Sequence, residues 1–150
     1  MNHIQNKTAI VTGASSGIGA ATVKALLDKD VNVVAVAQNI DRLNAFVEPL
    51  KEAGYNISGY SASVADLDSM KSVADFAVKT YGSVDILVNN AGLMLFSYWE
   101  DVAIDDWNKM VDVNIKGYLN GIAAVLPQMM RQKSGHILNM ASVAGHQVDA

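Results

Sequence analysis

The chain has 150 residues, of which 51% are apolar and 17% are charged, proportions typical of a packed globular domain rather than a disordered segment. Its net charge of −4 disfavours a nucleic-acid partner, because such partners require clustered lysine and arginine. It contains no cysteine, which excludes disulfides, cysteine nucleophiles and thiolate metal sites and agrees with a reducing compartment.

The first eight residues are polar, and no stretch of the sequence stays apolar over the length of a membrane span. We therefore expect neither a secretory signal nor a membrane partner, and we predict a cytoplasmic location. No linker, repeat or change of composition divides the chain. A single domain over residues 1–150 is the expected organisation.

Short apolar runs rich in β-branched residues alternate with longer segments of helical periodicity. The runs predict strands at 8–12, 32–37, 57–61, 86–89 and 137–140. The longer segments predict helices at 17–29, 40–53, 67–81, 104–111 and 113–132, with Asp66 as an N-cap and Gly54 and Gly82 as stops. This alternation predicts an α/β domain with a parallel sheet covered on both faces. Whether residues 104–132 form one helix or two stays open.

The connection between the first strand and the first helix contains three glycines. Gly13, Gly17 and Gly19 lie in the segment TGASSGIG, residues 12–19. Glycine allows positive φ and close approach, so main-chain amides and the positive end of the following helix can face a pyrophosphate. The alternative is a tight turn that needs glycine only for packing. Because a strand precedes the turn and a helix follows it, we predict a nucleotide ligand.

A second motif, NNAG at residues 89–92, follows the fourth strand. Together with the Gly-x-x-x-Gly-x-Gly spacing of the turn, it resembles the short-chain dehydrogenase/reductase family. The resemblance continues through VNIKG at residues 113–117 and SGHILNMASVAG at residues 134–145. It implies a Rossmann-type, doubly wound parallel sheet of strand order 3-2-1-4-5, a cofactor that is NADP or NAD, and hydride transfer to or from a carbonyl compound or secondary alcohol. The last segment is most similar to the NADP-using branch that acts on small hydroxy acids and alcohols.

The resemblance also implies roles for individual residues. The family's pyrophosphate turn corresponds to Thr12, Gly13, Ser15, Ser16, Gly17, Ile18 and Gly19. Asn89, Ala91 and Gly92 would lie beside the adenosine ribose and the sheet. For Asn89 the alternative is a side chain that ties neighbouring strands together, and the two roles are compatible.

Cofactor choice depends on the end of the second strand, where an acidic residue accepts from a ribose 2′-hydroxyl and a basic one pairs with a 2′-phosphate. This chain has Gln38 and Asn39 there and Arg42 nearby, which favours NADP, although Arg42 also fits a solvated helix residue. The aspartate that holds adenine in many relatives corresponds to Ser63, a neutral partner. Val64 would contact the ring or simply end the strand.

Of the four catalytic residues that the family uses, two have counterparts. Asn114 matches the asparagine that supports a helix kink and a proton-relay water, and Ser142 matches the serine that hydrogen-bonds the substrate oxygen. No tyrosine has a lysine four residues later, so we expect a carboxyl-terminally truncated member with little activity alone. The alternative is a catalytically dead nucleotide-binding or assembly module.

A truncated member would miss the usual later strands and helices. Residues 136–140 would then form a sheet edge that exposes Ile137, Leu138 and Met140. The helix predicted from Val113 to Gln132 is similar to the family's dimerisation helix, so self-association is expected, with ordinary packing on the sheet as the alternative.

The remaining polar and aromatic residues have simpler interpretations. The three histidines show no spacing typical of a metal site, and no metal is expected. Trp99 and Trp107 fit the wall of a substrate pocket or packing against the sheet. The aspartates near the fourth helix fit helix-start charges and solvated faces rather than a catalytic pair; they are Asp101, Asp105, Asp106 and Asp112.

Overall fold

The computed structural model describes residues 3–143; residues 144–145 of the family-like segment and His146 lie outside this range. Strands and helices alternate in the order β1 (Thr8–Thr12), α1 (Gly17–Leu27), β2 (Asn32–Ala37), α2 (Ile40–Glu52), β3 (Ile57–Ser61), α3 (Leu67–Tyr81), β4 (Ile86–Asn89), α4 (Ile104–Val111), α5 (Gly117–Gln132) and β5 (His136–Asn139). A 3-10 turn at Trp99–Asp101 precedes α4, and a π-helical segment at Asp112–Lys116 joins α4 to α5. The predicted strands are confirmed, with β5 starting one residue earlier than expected.

All five strands belong to one parallel sheet in the order β3-β2-β1-β4-β5, which confirms the expected order 3-2-1-4-5. The order reverses at β1, with β2 and β3 on one side and β4 and β5 on the other. Open α/β sheets bind ligands in the crevice outside the carboxyl ends of the strands at this reversal. The topology therefore predicts that the loops following β1 and β4 border a ligand site.

Alternate residues of the central strands enter two cores on opposite faces of the sheet. On one face Val11 packs in a cluster with Leu43 of α2. On the other face Ile10 packs in a cluster with Val73 of α3 and Val125 of α5. All five side chains are fully buried, and each such burial stabilises the fold by about 1.5–3 kcal/mol. Burial on both faces explains why β1 and β2 are apolar at nearly every position.

Helix α3 has the ends that the sequence predicts. The Asp66 carboxylate accepts hydrogen bonds from the amides of Asp68 at 2.9 Å and Ser69 at 3.2 Å, which satisfies two donors of the first turn. The bonds from Ser69 and Asp68 hold the pKa of Asp66 below its ordinary value. At the other end Gly82 adopts a left-handed conformation with φ of 88°. Both predicted boundaries of this helix are confirmed.

The sequence left open whether residues 104–132 form one helix or two. In the structure they form a continuous helical path that a π-helical segment interrupts. The second part does not begin as an α-helix at Val113; Asp112–Lys116 is π-helical and α5 starts at Gly117. A π segment inserts one extra residue per turn and turns the side chains that follow to a different face. None of the helices within residues 3–143 is long and apolar enough to cross a bilayer.

Strand β5 pairs with β4 alone among the strands of residues 3–143, so it forms the expected sheet edge. Leu138 and Met140 are exposed there. Ile137 is not exposed as predicted, since it is half-buried against the core that includes Val125. The alternation of a strand explains the difference, because neighbouring side chains point to opposite faces.

The carboxylate of Asp85 joins the amino ends of β1 and β4. It accepts hydrogen bonds from the Ser83 hydroxyl at 2.6 Å, the Thr8 amide at 2.9 Å and the Lys7 ammonium at 3.3 Å. Burial disfavours its ionisation, but the bonds from Ser83, Thr8 and Lys7 outweigh burial and lower the pKa of Asp85 below 3.8. Because this network lies at the amino ends of the strands, it stabilises the sheet away from the crevice.

Candidate functional site

A cavity of about 660 Å³ lies at the carboxyl ends of the strands, within the usual range for small-molecule sites. Eleven of the seventeen predicted site residues line it: Gly13, Ser15, Ser16, Ile18, Gln38, Asn39, Arg42, Ser63, Val64, Ala91 and Gly92. The six that do not line it are Thr12, Gly17, Gly19, Asn89, Asn114 and Ser142.

The turn between β1 and α1 packs closely against the loop after β4. Gly13 has φ of 65° and Gly17 has φ of 54°, a region that other residues rarely adopt. A Cβ on Gly13 would lie 2.9 Å from Cα of Ala91, and a Cβ on Gly19 would overlap the carbonyl of Gly13. The turn leads directly into α1, whose first amides have no intrahelical partner. The open amides and the helix end suit an anionic phosphate group.

Thr12 is buried beneath this turn and does not line the cavity. Its hydroxyl donates to the carbonyl of Val88 at 3.3 Å and accepts from the amides of Asn90 and Ala91, both at 3.0 Å. The Asn90 side-chain amide donates back to the carbonyl of Thr12 at 2.9 Å. Thr12 therefore fixes the loop after β4 against the glycine turn. Asn90, which also lines the cavity, is a site residue that we did not predict, although it lies within the NNAG motif.

Asn89 is buried and ties β4 to its neighbours. Its side-chain amide donates to the carbonyl of Tyr118 at 3.2 Å and to Oδ1 of Asn139 at 2.9 Å. Gly121 leaves room for it, because a Cβ there would overlap Oδ1 of Asn89. The position matches the predicted tie between strands, and contact with a ribose stays a prediction.

Gln38, Asn39 and Arg42 line the cavity at the end of β2. Oδ1 of Asn39 accepts from the main-chain amide of Arg42 at 2.9 Å and so caps α2. Within residues 3–143 no carboxylate lies within ion-pair distance of Arg42. The cavity wall at the end of β2 therefore contains one positively charged residue, Arg42, and no acidic residue.

A different set of residues lines the cavity where α4 meets the loop after β3. Ser63 and Val64 belong to the loop, and Lys109, Asp112 and Val113 belong to the helical path. We did not predict the last three as site residues. Asp112 is a partly exposed helix charge paired with Lys116, as expected, and it also lines the cavity. A contact between elements so far apart in sequence leaves no local signal.

Asn114 lies within the π-helical segment and holds the chain that follows the NNAG motif. Its Oδ1 accepts from the amide of Leu93 at 2.9 Å, and its Nδ2 donates to the carbonyl of Leu93 at 2.8 Å. Gly92 fits beside it, because a Cβ there would lie 3.3 Å from Oδ1 of Asn114. The paired bonds fix the floor of the cavity against the helix.

Ser142 is exposed just after the carboxyl end of β5. The segment before it is held twice at Met140, whose amide donates to the carbonyl of Asn89 and whose carbonyl accepts from the Tyr118 hydroxyl, both at 2.9 Å. Burial raises the pKa of Tyr118, so the phenol stays protonated and keeps donating at neutral pH. These contacts place Ser142 at the same edge of the sheet as the cavity.

Trp99 and Trp107 line a second, smaller cleft of about 420 Å³ beside α4. Their ring centroids are 5.4 Å apart, and the Trp107 indole donates to the Ser97 hydroxyl at 3.2 Å. The cleft is otherwise apolar, with Leu95, Phe96, Met110 and Val111 in its walls.

The sequence model of the short chain dehydrogenase family matches residues 7–150, nearly the whole chain. The chain therefore belongs to the short-chain dehydrogenase/reductase family, a family of oxidoreductases, as its motifs predict. The fold agrees, with the parallel order and the glycine turn in the places that the family requires.

Two relatives show how much of such proteins the chain represents. An uncharacterised oxidoreductase from Staphylococcus saprophyticus is 45% identical over 148 residues, which cover 99% of this chain and 59% of the relative. One from Listeria innocua is 42% identical over 142 residues, or 95% of this chain and 57% of the relative. The chain thus spans less than two thirds of the length of the curated relatives that it matches.

Solved structures show the same fold and the same partial coverage of longer chains. A short-chain dehydrogenase/reductase from Burkholderia phymatum in complex with NAD superimposes with a TM-score of 0.94 at 30% identity, covering 99% of this chain and 53% of that one. An NAD⁺-bound xylitol dehydrogenase superimposes with a TM-score of 0.91 at 29% identity, and the match covers 98% of this chain and 57% of that one.

Proposed function

We propose that the protein is an NAD(P)-dependent oxidoreductase that transfers hydride between a nicotinamide and a carbonyl compound or secondary alcohol. The observation that carries the proposal is the glycine turn between β1 and α1, whose main chain opens onto the cavity where the strand order reverses. The family match and the NAD-bound relatives support the same class of cofactor. When bound, the nicotinamide supplies or accepts the hydride.

The residues that are present fit a dinucleotide. The missing Cβ atoms at Gly13 and Gly19 let the turn pack tightly on itself and on Asn90 and Ala91, and this packing would hold the main chain at the start of α1 in position for a pyrophosphate. Along the cavity, Ser15, Ser16 and Ile18 would hold the pyrophosphate. We assign Ala91 and Gly92 to the ribose and Ser63 and Val64 to the adenine by the family resemblance, which is supported by the presence of all four in the cavity wall.

For the chemical step we assign Ser142 and Asn114. The Ser142 hydroxyl would donate to the substrate oxygen, and Asn114 would hold the loop after β4 and support a proton-relay water. The 150 residues contain no tyrosine followed four positions later by a lysine. Lacking that acid/base pair, the chain on its own should turn over about 10²–10⁴ times more slowly than an enzyme with a positioned proton donor.

We propose NADP as the preferred cofactor, with NAD as the alternative. The support is the Arg42 side chain in the cavity wall and the absence of an acidic residue at the end of β2, since a carboxylate there would repel a 2′-phosphate. Arg42→Ala should weaken NADPH about tenfold and NADH little, because a hydrogen bond to a charged group contributes about 1.5–3 kcal/mol. Arg131→Ala is the matched control, as Arg131 bonds to Gln128 on α5 away from the cavity. Equal weakening of both cofactors would contradict the preference.

The substrate is proposed to be a small carbonyl compound, hydroxy acid or alcohol. The apolar cleft of Trp99 and Trp107 supports a site for the substrate's apolar part next to the cofactor cavity. The test is titration of the purified chain with NADPH and NADH by calorimetry, followed by turnover assays on simple carbonyl compounds. Failure to bind either dinucleotide would overturn the proposed function.

A second candidate is a nucleotide-binding or assembly module without catalysis, in the cytoplasm. It is favoured by the exposed apolar side chains along residues 113–132, through which we propose self-association. They are Ile115, Leu119, Leu126 and Met130. Cofactor binding without turnover, together with a dimer in sedimentation, supports this candidate; robust turnover excludes it.

A further inference from the structure

The end of the cavity that we assign to adenine contains an acidic group to which neither the motifs nor the family assignment gives a role. The loop after β3 contributes Ser63 and Val64 to this end, and the helical path contributes Lys109 and Asp112. The described residues that line the cavity include no carboxylate besides Asp112. An acceptor with a full negative charge is therefore available to a base that Ser63 can only meet with a neutral hydroxyl.

The helix and the loop are fixed relative to each other. The Asn120 side-chain amide donates to the carbonyl of Val64 at 2.9 Å. Gly117 lets the helix approach the loop, because a Cβ there would lie 2.7 Å from Cγ2 of Val64. Asp112 lies on the same helical path, five residues before Gly117. The backbone that carries Asp112 is therefore held against the loop, as a selective contact requires.

Only one oxygen of the Asp112 carboxylate is engaged within the protein. Its Oδ1 accepts from the Lys116 ammonium at 2.6 Å, and no group within residues 3–143 donates to Oδ2. The side chain is 44% exposed, and the residue lines the cavity. An ionised carboxylate accepts hydrogen bonds only, and it forms stronger ones than a neutral oxygen.

We propose that Asp112 accepts a hydrogen bond from the exocyclic amino group of the cofactor's adenine and selects adenine over bases that lack this donor. The inference rests on the proposed function. The 6-amino group is the donor on the edge of adenine. Hypoxanthine has a carbonyl oxygen in its place, so this hydrogen bond cannot form and two acceptors would face each other at that position.

The test compares NADPH with its deamino analogue, in which hypoxanthine replaces adenine, by calorimetric titration of the full chain. The unaltered chain should bind NADPH about tenfold more tightly than the analogue, the lower limit for a hydrogen bond to a charged group. Asp112→Ala should weaken NADPH about tenfold and leave the analogue within about twofold, so that the ratio approaches one.

Two further variants separate selection from folding. Lys116→Met removes the ion pair but keeps the carboxylate, so the preference for NADPH should remain. Asp112→Asn keeps the shape and one acceptor oxygen without the charge, so it should show an intermediate preference for NADPH. It replaces Asp112→Ala in the comparison if the thermal melt shows that Asp112→Ala is not folded.

Several results would overturn the inference. An unaltered chain that binds both ligands equally, or an Asp112→Ala variant that weakens both equally, would show that the carboxylate does not contact the base. If instead the unaltered chain binds neither ligand, the proposed function fails as well. Binding of NADPH with a preference that Asp112→Ala leaves intact would refute the role of Asp112 alone.

Discussion

Gly17 and Gly19 are two positions apart in the same turn, yet an added methyl group would meet different surroundings. At Gly17, where φ is 54°, nothing lies within 4 Å of an ideal Cβ. At Gly19 a Cβ would overlap the carbonyl of Gly13 and lie 2.6 Å from Nδ2 of Asn90. Alanine substitution at the two positions therefore separates backbone strain from steric overlap.

The expected magnitudes differ severalfold. A left-handed conformation costs a residue other than glycine about 1–2 kcal/mol, and the less flexible unfolded chain offsets about 0.4–1 kcal/mol of it, so Gly17→Ala should lose about 1 kcal/mol. Gly19→Ala presses a methyl against main chain that cannot rotate away, which should cost about 3 kcal/mol or more. At about 2–4 °C per kcal/mol, Tm should fall about 3 °C in the first variant and about 9 °C in the second.

Urea unfolding measures the free energy of unfolding of each variant, and titration with NADPH measures its affinity for the cofactor. Gly17→Ala should keep its affinity within a few-fold, because Gly17 does not line the cavity. Gly19→Ala should lose NADPH binding even where it is folded, since the turn must open. Gly54→Ala is the matched control for strain, because Gly54 has φ of 92° and open space around its Cβ, in the loop between α2 and β3. Equal losses of stability at Gly17 and Gly19 would refute the steric reasoning.

Three further variants test other parts of the structure. Asp85→Asn should cost about 1–3 kcal/mol at pH 7. Because the folded-state pKa of Asp85 is lowered, that difference should be full above the ordinary aspartate pKa and disappear as the pH falls through the lowered folded-state pKa; a gap that is constant with pH in urea melts would contradict it. Tyr118→Phe should cost about 1 kcal/mol by the loss of one hydrogen bond. Because the pKa of Tyr118 is raised, the loss should persist to pH 10 and shrink only above it; equal stability of the two proteins at neutral pH would refute it. Leu119→Glu, on a side chain that is 60% exposed, should shift sedimentation towards the monomer without lowering Tm, and unchanged sedimentation would exclude this helix face as the interface.

The sequence predicted the elements well where periodicity carries the information. Helix α3 has the predicted bounds because Asp66 and Gly82 mark its ends locally. The family resemblance indicates a helix kink at Asn114, but the apolar pattern does not show the π-helical segment there, and the bonds of Asn114 to Leu93 join residues 21 positions apart in the chain. The presence of Asp112 in the cavity wall was not predicted either. It depends on how the helical path packs on the loop after β3, where Gly117 and Asn120 contact Val64. Local patterns give elements and caps, whereas such long-range contacts become visible only in the fold.

The cavity is built mostly from main chain and small side chains, so it can hold a pyrophosphate without selecting between cofactors. By our proposals, selection then depends on two charged groups, Arg42 on α2 and Asp112 at the end of α4, which share no partner among the described residues. Changes at independent sites add in free energy. The Arg42→Ala/Asp112→Ala double variant should therefore lose NADPH affinity by the product of the two single losses, about a hundredfold in all. A much smaller loss would mean that the two side chains act on one common feature of the cofactor or of the protein.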